Sequence, residues 1–115
     1  MKIKRLKEHT PEKVDVPGAN NTEYYPMITA KDGASGFAMR LFDLKGGGNT
    51  PKHQHEWEHE IFIVSGSGKI LDKDRYIDIS VNDFIFVEKD ELHQFVAGEE
   101  GLKFICVVPN RGQPA

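Results

Sequence analysis

The sequence predicts an all-β domain. Short apolar or alternating segments recur along the chain, and turn-forming residues separate them at intervals of about 8 to 12 residues. No window has the spacing and capping residues of a long amphipathic helix. This pattern is typical of a sandwich or a closed barrel. With 115 residues the chain fits one domain, residues 1–115, with a flexible C-terminal tail from about residue 110 to 115.

The predicted strands follow one another along the chain, and each ends where residues that favour turns begin. Val, Ile, Phe and Tyr are frequent in the strands, whereas Gly, Asn, Asp and Ser dominate connections such as KDGAS, SGSG and AGEEG. The predicted strands are KIKRL (2–6), TEYYPMITA (22–30), GFAMRLFDL (36–44), EHEIFIVSG (58–66), GKILD (68–72), RYIDIS (75–80), DFIFVEK (83–89), HQFVA (93–97) and LKFICVVP (102–109).

Three runs within these strands have apolar residues at both odd and even positions, so both faces of the strand are apolar. They are IFIV (61–64), FIFV (84–87) and FICVV (104–108). Strands of this kind are covered on both faces. Because a lone small barrel leaves one face of each strand in water, we expect a homodimer. The alternative is that the N-terminal residues fold over the outer face within one chain.

Composition limits the partners and the location. Lys and Arg number 15 against 18 Asp and Glu, a net charge of −3, so no broad basic face is available for nucleic acid. The first residues carry positive charge without an apolar segment behind them, and no run approaches the length of a membrane span. The single cysteine, Cys106, agrees with a reducing compartment. We therefore expect a cytoplasmic protein that binds neither nucleic acid nor membrane.

Four of the five histidines are candidate metal ligands. Side chains on a strand alternate between faces, so His53 and His55 point to one side, and His59 keeps the same parity. His93 opens a later segment, whereas His9 lies outside the set. Packing alone explains the cluster poorly, because each buried imidazole would need a hydrogen-bond partner. The alternative is a solvated histidine loop that responds to pH.

The segment GGNTPKHQHEWEHEIFIVSG resembles the first motif of the cupin superfamily, G-x5-H-x-H-x3,4-E-x6-G. Its fixed positions are occupied by Gly47, His53, His55 and Gly66. His59 stands where the family has glutamate, with the expected spacing to both flanking positions. Glu60 satisfies the looser spacing to the second histidine but breaks the strand parity, so His59 is the preferred third ligand.

The second cupin motif, G-x5-P-x-G-x2-H-x3-N, is matched less completely by NDFIFVEKDELHQFVA, although His93 falls in register. The Gly, Pro, Gly and Asn of that motif are replaced by Asn82, Glu88, Asp90 and Ala97. In strand and turn order the chain is similar to small single-domain cupins of the Cupin_2 type that have a four-histidine manganese site. The resemblance implies a double-stranded β-helix, or jelly-roll barrel, that is usually dimeric.

The resemblance also implies a divalent transition metal bound by His53, His55, His59 and His93. Neutral imidazoles leave the ion its full charge, which makes it a stronger Lewis acid than a site with a glutamate ligand. Four protein ligands leave two positions of an octahedral ion open, as in a catalytic site. Nitrogen ligands disfavour Mg and Ca, whereas Mn, Fe, Ni, Cu, Co and Zn remain open. The resemblance places manganese first and iron second.

A substrate pocket is predicted around the histidines. Its candidate residues are Arg40, Trp57, Phe95, Phe104 and Cys106. Phe95 shares the parity of the fourth histidine, and Phe104 and Cys106 share one face of their strand, although ordinary core is the alternative for all three. Arg40 could hold a substrate carboxylate, but pairing with a glutamate is the preferred explanation. Trp57 could close the barrel mouth or act as a packing plug.

Three functions are compatible with such a site. The favoured one is a metal-dependent oxidoreductase, a dioxygenase that binds a small organic substrate and dioxygen. The second is a redox-neutral isomerase or lyase acting on a small carbonyl acid. That chemistry needs a general base, for which His9 and Glu91 are the available candidates, and no catalytic residue is assigned. The third is a non-catalytic module that senses a small ligand or a metal, since one fold serves many activities.

Overall fold

The all-β prediction is confirmed. In a computed structural model, the described residues, 1–113, form seven strands and three short 3-10 helices. The strands are β1 (Glu12–Lys13), β2 (Asn20–Ile28), β3 (Phe37–Asn49), β4 (His59–Asp72), β5 (Arg75–Ser80), β6 (Phe84–Val87) and β7 (Phe95–Pro109). The 3-10 helices are Leu6–Glu8, Ala30–Asp32 and Asn110–Gly112. None of the helices in the described part of the chain is long and apolar enough to cross a membrane.

The strands build a jelly-roll barrel in which all pairs are antiparallel. Their order is β1-β2-β3-β7-β4-β5, with β6 paired to β4. The long strand β4 changes partner along its length, because its first residues pair with β6 and its last residues pair with β5. Strand β7 runs beside both parts of β4 and also beside β3. Strands β4 and β7 therefore connect β5 and β6 to the part of the sheet that β1, β2 and β3 form.

Two predicted turns are parts of long strands. SGSG lies within β4 and AGEEG lies within β7. Gly66 and Gly101 have φ angles of 82° and 89°, in the left-handed region that favours glycine. A β-carbon on Gly66 would overlap the carbonyl oxygen of Gly101. Shifts in the β4–β7 register accompany these glycines, so they bend a continuing strand where the sequence predicts a reversal.

The strand predicted at residues 2–6 is wrong. The segment has no regular structure until a 3-10 helix begins at Leu6. Lys2 donates to the carbonyl oxygen of Asp32 at 2.7 Å, and Lys4 pairs with the Asp32 carboxylate at 2.6 Å. Side-chain contacts therefore position this arm, which takes no place in the sheet.

The main hydrophobic core lies inside the barrel. Its largest fully buried side chains are Phe104, Leu44, Ile63, Leu102 and Val108. On the outside, Leu6 of the N-terminal arm lines a groove together with Leu41 and Ile105, which agrees with the alternative that the arm covers part of the outer face. Phe84 and Phe86 of β6 remain 81% and 56% exposed. The homodimer stays a prediction.

The C-terminal tail begins with the 3-10 helix Asn110–Gly112, and Gln113 after it is buried. The Asn110 side chain donates to the carbonyl oxygen of Ala34 at 2.7 Å. The last two positions of the predicted flexible tail, 114 and 115, lie outside the described residues. Both the flexibility of the tail and the single-domain boundaries stay predictions.

Candidate metal centre

Two segments of the chain bring the candidate ligands together. His53 and His93 form an isolated antiparallel bridge, in which each backbone N–H donates to the other's carbonyl oxygen, at 3.1 and 2.9 Å. Ligand nitrogens of His53, His55 and His93 all lie within 4.8 Å of one another. Nitrogens on opposite sides of one ion are roughly 4.2 Å apart, since each is about 2.1 Å from the metal. Small side-chain movements would therefore allow the three to share an ion.

His59, the first residue of β4, lies beside this group of three. Its ring centroid is 4.8 Å from that of His93 and 5.3 Å from that of His55. The side chain is buried, and its Nδ1 has no hydrogen-bond partner among residues 1–113. A buried polar atom without a partner is destabilising by about 1–3 kcal/mol. Glu60, the alternative ligand, is exposed, so the orphaned nitrogen of His59 fits a fourth metal ligand better.

The imidazoles are in the state that metals bind. Burial lowers the pKa of His53 to about 4 and that of His59 to about 3, and nearby positive charges contribute. Burial is also the main cause that lowers the pKa of His55 and of His93. Nδ1 of His93 donates to the carbonyl oxygen of Glu91 at 2.9 Å. Since a carbonyl only accepts, the hydrogen is on Nδ1 and Nε2 keeps its lone pair. Neutral imidazoles with free lone pairs fit a divalent transition ion.

Two departures from the second motif, one of them in the loop that leads to His93, have left-handed backbone conformations. Asn82 and Asp90 stand at two of its glycine positions, and their φ angles are 75° and 63°. Asn and Asp are the residues that most readily replace glycine in this left-handed region. The Asp90 N–H donates to the carbonyl oxygen of His55 at 2.6 Å, which ties the loop to the first ligand segment.

The histidines line a cavity of about 510 Å³. All five predicted pocket residues are on its wall: Arg40, Trp57, Phe95, Phe104 and Cys106. The ring of Phe104 stacks on Phe95, with centroids 4.3 Å apart, and on Phe42, with centroids 5.3 Å apart. The wall is therefore largely aromatic. Contact of these side chains with a substrate stays a prediction.

Arg40 does not form the predicted ion pair with a glutamate. Strand register places it opposite Cys106, far in sequence, and its Nε and Nη2 donate to the Cys106 carbonyl oxygen and Sγ, both at 3.3 Å. Nη1 donates to Oε1 of Gln113 at 2.8 Å, and the guanidinium lies 5.1 Å from the ring centroid of Phe42. Neutral acceptors and an aromatic face surround a charge for which we expected a carboxylate.

Comparison with known proteins identifies the family. The Cupin_2 family, described as a cupin domain, matches residues 40–108. The chain belongs to this family. Among solved structures, this cupin is similar to the polyketide cyclase RemF from Streptomyces resistomycificus, with 34% sequence identity and a TM-score of 0.91. That match covers 96% of this chain and 80% of RemF. No curated protein sequence matches the cupin.

Two further structures extend the comparison. A predicted oxalate decarboxylase from Thermotoga maritima has 25% identity and a TM-score of 0.83, and the match covers 94% of this chain and 98% of that one. KdgF from Halomonas sp. has 18% identity and a TM-score of 0.77, with 93% of each chain covered, and shows the fold alone. The cupin resemblance is thereby confirmed, whereas the particular similarity to four-histidine manganese cupins stays a prediction.

Trp57 of the cupin contacts both the histidine cluster and the C-terminal turn. Its indole stacks on the His55 ring, with centroids 4.6 Å apart and an interplanar angle of 5°. A β-carbon on Gly112 would lie 2.7 Å from the indole Nε1. Trp57 is therefore a packed side chain on the cavity wall, and closure of the barrel mouth by this residue stays a prediction.

Sequence reasoning missed part of the cavity wall. Phe42 shares the parity of Arg40 and could have been inferred from it, but Gln113 and residues 12–16 carry no local signal. The carboxylates on this wall, within the described residues, are those of Glu12 and Asp15, and both are exposed.

The two residues suggested from the sequence as general bases lie outside the described cavity wall. His9 and Glu91, the candidate general bases, do not line the cavity in the described structure. Oε1 of Glu91 instead accepts a hydrogen bond from the backbone N–H of Glu88 at 3.0 Å.

Proposed function

We propose that this cupin is a metal-dependent enzyme that closes a ring in a small polycarbonyl substrate without net oxidation or reduction. The observation that carries the proposal is the similarity to a polyketide cyclase over 96% of the chain, at 34% identity. The histidine cluster and the aromatic cavity of about 510 Å³ support it, because the cavity is large enough for a folded small molecule. The reaction shares its redox neutrality with the isomerase or lyase that the sequence analysis gives as its second function, and it differs from the dioxygenase favoured there.

His53, His55, His59 and His93 would hold a divalent transition ion, with manganese first, iron second, and nickel, zinc, copper or cobalt as alternatives. When bound, such an ion supplies a Lewis acid that polarises carbonyl oxygens. In an aldol-type closure a proton leaves the carbon between two carbonyl groups, and that carbon bonds to a further carbonyl carbon. The oxygen of that carbonyl takes up a proton, so atoms and electrons balance without an oxidant.

The chain's own residues contribute positioning and water exclusion. Phe42, Phe95 and Phe104 form a continuous stack along the wall, which favours a flat, folded substrate and keeps water from it. Glu12 and Asp15 are the candidate proton acceptors, because they are the carboxylates on the described cavity wall. Their position on the N-terminal segment makes that segment part of the proposed site.

A dioxygenase is the second candidate. The all-imidazole ligand set favours it, because neutral ligands leave a redox-active ion its full charge and space for two further ligands. A metal-dependent sensing module would have the same ligands without turnover. The cyclase consumes only its organic substrate, the dioxygenase also consumes oxygen, and the sensing module consumes neither. One experiment therefore separates the three.

That experiment follows a linear aryl-substituted poly-β-ketone with metal-loaded protein, in air and under nitrogen. Mass spectrometry records ring formation, and an oxygen electrode records oxygen uptake. Ring formation at equal rates in both atmospheres supports the cyclase. Substrate-dependent oxygen uptake contradicts it and supports the dioxygenase, whereas metal-loaded protein that does neither contradicts both enzymes and favours the sensor.

We further propose that the protein is a cytoplasmic homodimer and that residues 1–115 form one cupin domain. The exposed aromatic side chains of Phe84 and Phe86 support the dimer. The lone cysteine, Cys106, agrees with a reducing compartment. The net charge of −3 supports a small molecule as the partner in preference to nucleic acid.

A further inference from the structure

Arg40 is a buried positive charge without a negative partner in the described part of the chain. The residue is only 8% exposed, and within residues 1–113 no carboxylate lies at ion-pair distance from it. Its three hydrogen-bond acceptors are a carbonyl oxygen, an amide oxygen and a thiol. Burial raises the pKa of the Cys106 thiol despite the nearby guanidinium, so this neighbour is protonated and uncharged.

This charge acts on the cavity that the histidines line. Arg40 lines the same cavity as His53, His55, His59 and His93. Glu12 and Asp15 are exposed at the cavity wall, where water screens their charge. A buried charge without a counter-ion is unfavourable, and an anion bound in the cavity would offset that cost.

Some N–H groups of the Arg40 guanidinium donate no hydrogen bond within the described residues. It carries five N–H donors, and three hydrogen bonds within residues 1–113 use one on Nε, one on Nη1 and one on Nη2. One N–H on each terminal nitrogen therefore has no partner within the described residues. A pair of donors on the two terminal nitrogens is the fork that binds a carboxylate with two parallel hydrogen bonds. Gln113 and Cys106 fix the plane of this fork.

We propose that Arg40 is an anion subsite of the cavity and that it binds a carboxylate of the substrate while the carbonyl groups lie at the histidine cluster. The inference rests on the proposed function and narrows its substrate class. The substrate is a polycarbonyl carboxylic acid with its acid group free, because an ester or thioester has no negative charge for Arg40 to neutralise.

The test is calorimetric titration of manganese-loaded protein with β-diketones that carry a carboxylate on a tail of two to four methylenes, each paired with its methyl ester. The β-diketone group is common to both members of a pair and reports on the metal site. A charge-assisted contact to a buried partner predicts that, for at least one tail length, the acid binds at least about tenfold tighter than its ester.

Variants at Arg40 test whether this residue causes the tighter binding of the acid. Arg40→Gln should bring the acid close to the affinity of its ester, while the affinity for the ester stays near the wild-type value and shows that the cavity is intact. Arg40→Met is the second variant, if the glutamine disturbs folding. A purely structural role for Arg40 would lower the affinity for acid and ester alike and leave their ratio unchanged.

Two failures are distinguishable. Equal binding of acid and ester by the wild type at every tail length, or an unchanged ratio in the variants, overturns the anion subsite alone. Failure of every β-diketone to bind, esters included, overturns the subsite together with the proposed function.

Discussion

Replacement of His59 by alanine should remove most of the stabilisation that metal gives this cupin, whereas replacement of the adjacent Glu60 should not. His59 is 5% exposed and lies beside His93, while Glu60 is exposed to solvent. Loss of a residue that only orients a metal ligand lowers metal affinity about 10–100-fold. Loss of a ligand should lower it by at least the upper of these values.

The expected size of the effect follows from linkage between binding and folding. Metal at about 100 times its dissociation constant stabilises the folded protein by about 2.7 kcal/mol, and metal at its dissociation constant by about 0.4 kcal/mol. For a domain of this length, about 1 kcal/mol shifts Tm by roughly 4 °C. Metal should therefore raise Tm by about 11 °C in the wild type and in Glu60→Ala, but by about 2 °C in His59→Ala.

Differential scanning calorimetry measures these shifts, with manganese fixed at 100 times the wild-type dissociation constant and metal-free samples run in parallel. The metal-free Tm of each variant is the control for folding. His59→Ala loses packing but also removes a buried nitrogen that has no hydrogen-bond partner among the described residues, so these two effects partly offset. Equal metal-dependent shifts in the two variants, or a larger loss in Glu60→Ala, would refute the assignment of His59 as a ligand.

Three further predictions concern pH, the C-terminal turn and assembly. Because burial lowers the pKa of His53 to about 4 and of His59 to about 3, the unfolded chain takes up protons that the folded one excludes. Stability of the metal-free protein should be complete above pH 6.5, the ordinary histidine value, and should fall as pH drops toward 4; constant thermal melts over this range would contradict buried neutral imidazoles. Gly112→Ala should displace Trp57 from His55, which shifts the fluorescence emission of the single tryptophan and weakens metal binding. The control variant Gly36→Ala has open space around the new β-carbon and should change neither property. Identical emission spectra for the two variants would count against the contact between Trp57 and the C-terminal turn. Phe86→Glu should convert a dimer into single chains in light scattering, and a wild-type mass of one chain would already disprove the dimer.

The grouping of His53, His55 and His59 could be predicted because these residues lie within seven positions of the chain. His53 and His55 lie two positions apart, and alternation of side chains places both on one side even though their segment is not a continuous strand. Motif spacing selected His59 over Glu60, and the structure leaves His59 buried and Glu60 exposed. Asp90 stands at a glycine position of the second motif and has a left-handed backbone in the loop that leads to His93.

The partners of Arg40 could not be predicted because they depend on distant parts of the chain. Cys106 faces it only through the register of β3 against β7, and Gln113 comes from a tail with no apolar pattern. The continuity of β4 through Gly66 could not be predicted for a related reason. Gly66 signals a turn by composition, but its contact with Gly101 on the neighbouring strand makes it a bend.

Metal stoichiometry tests the central claim most directly, namely that the four histidines hold one divalent transition ion. Elemental analysis would compare the wild type, produced in metal-balanced medium, with the double variant His53→Ala/His93→Ala. We predict about one manganese or iron ion for each wild-type chain, in keeping with the one ligand cluster found within residues 1–113, and loss of that ion from the double variant. A wild-type protein that stays metal-free after reconstitution with manganese, iron, cobalt, nickel, copper and zinc in turn would contradict the claim.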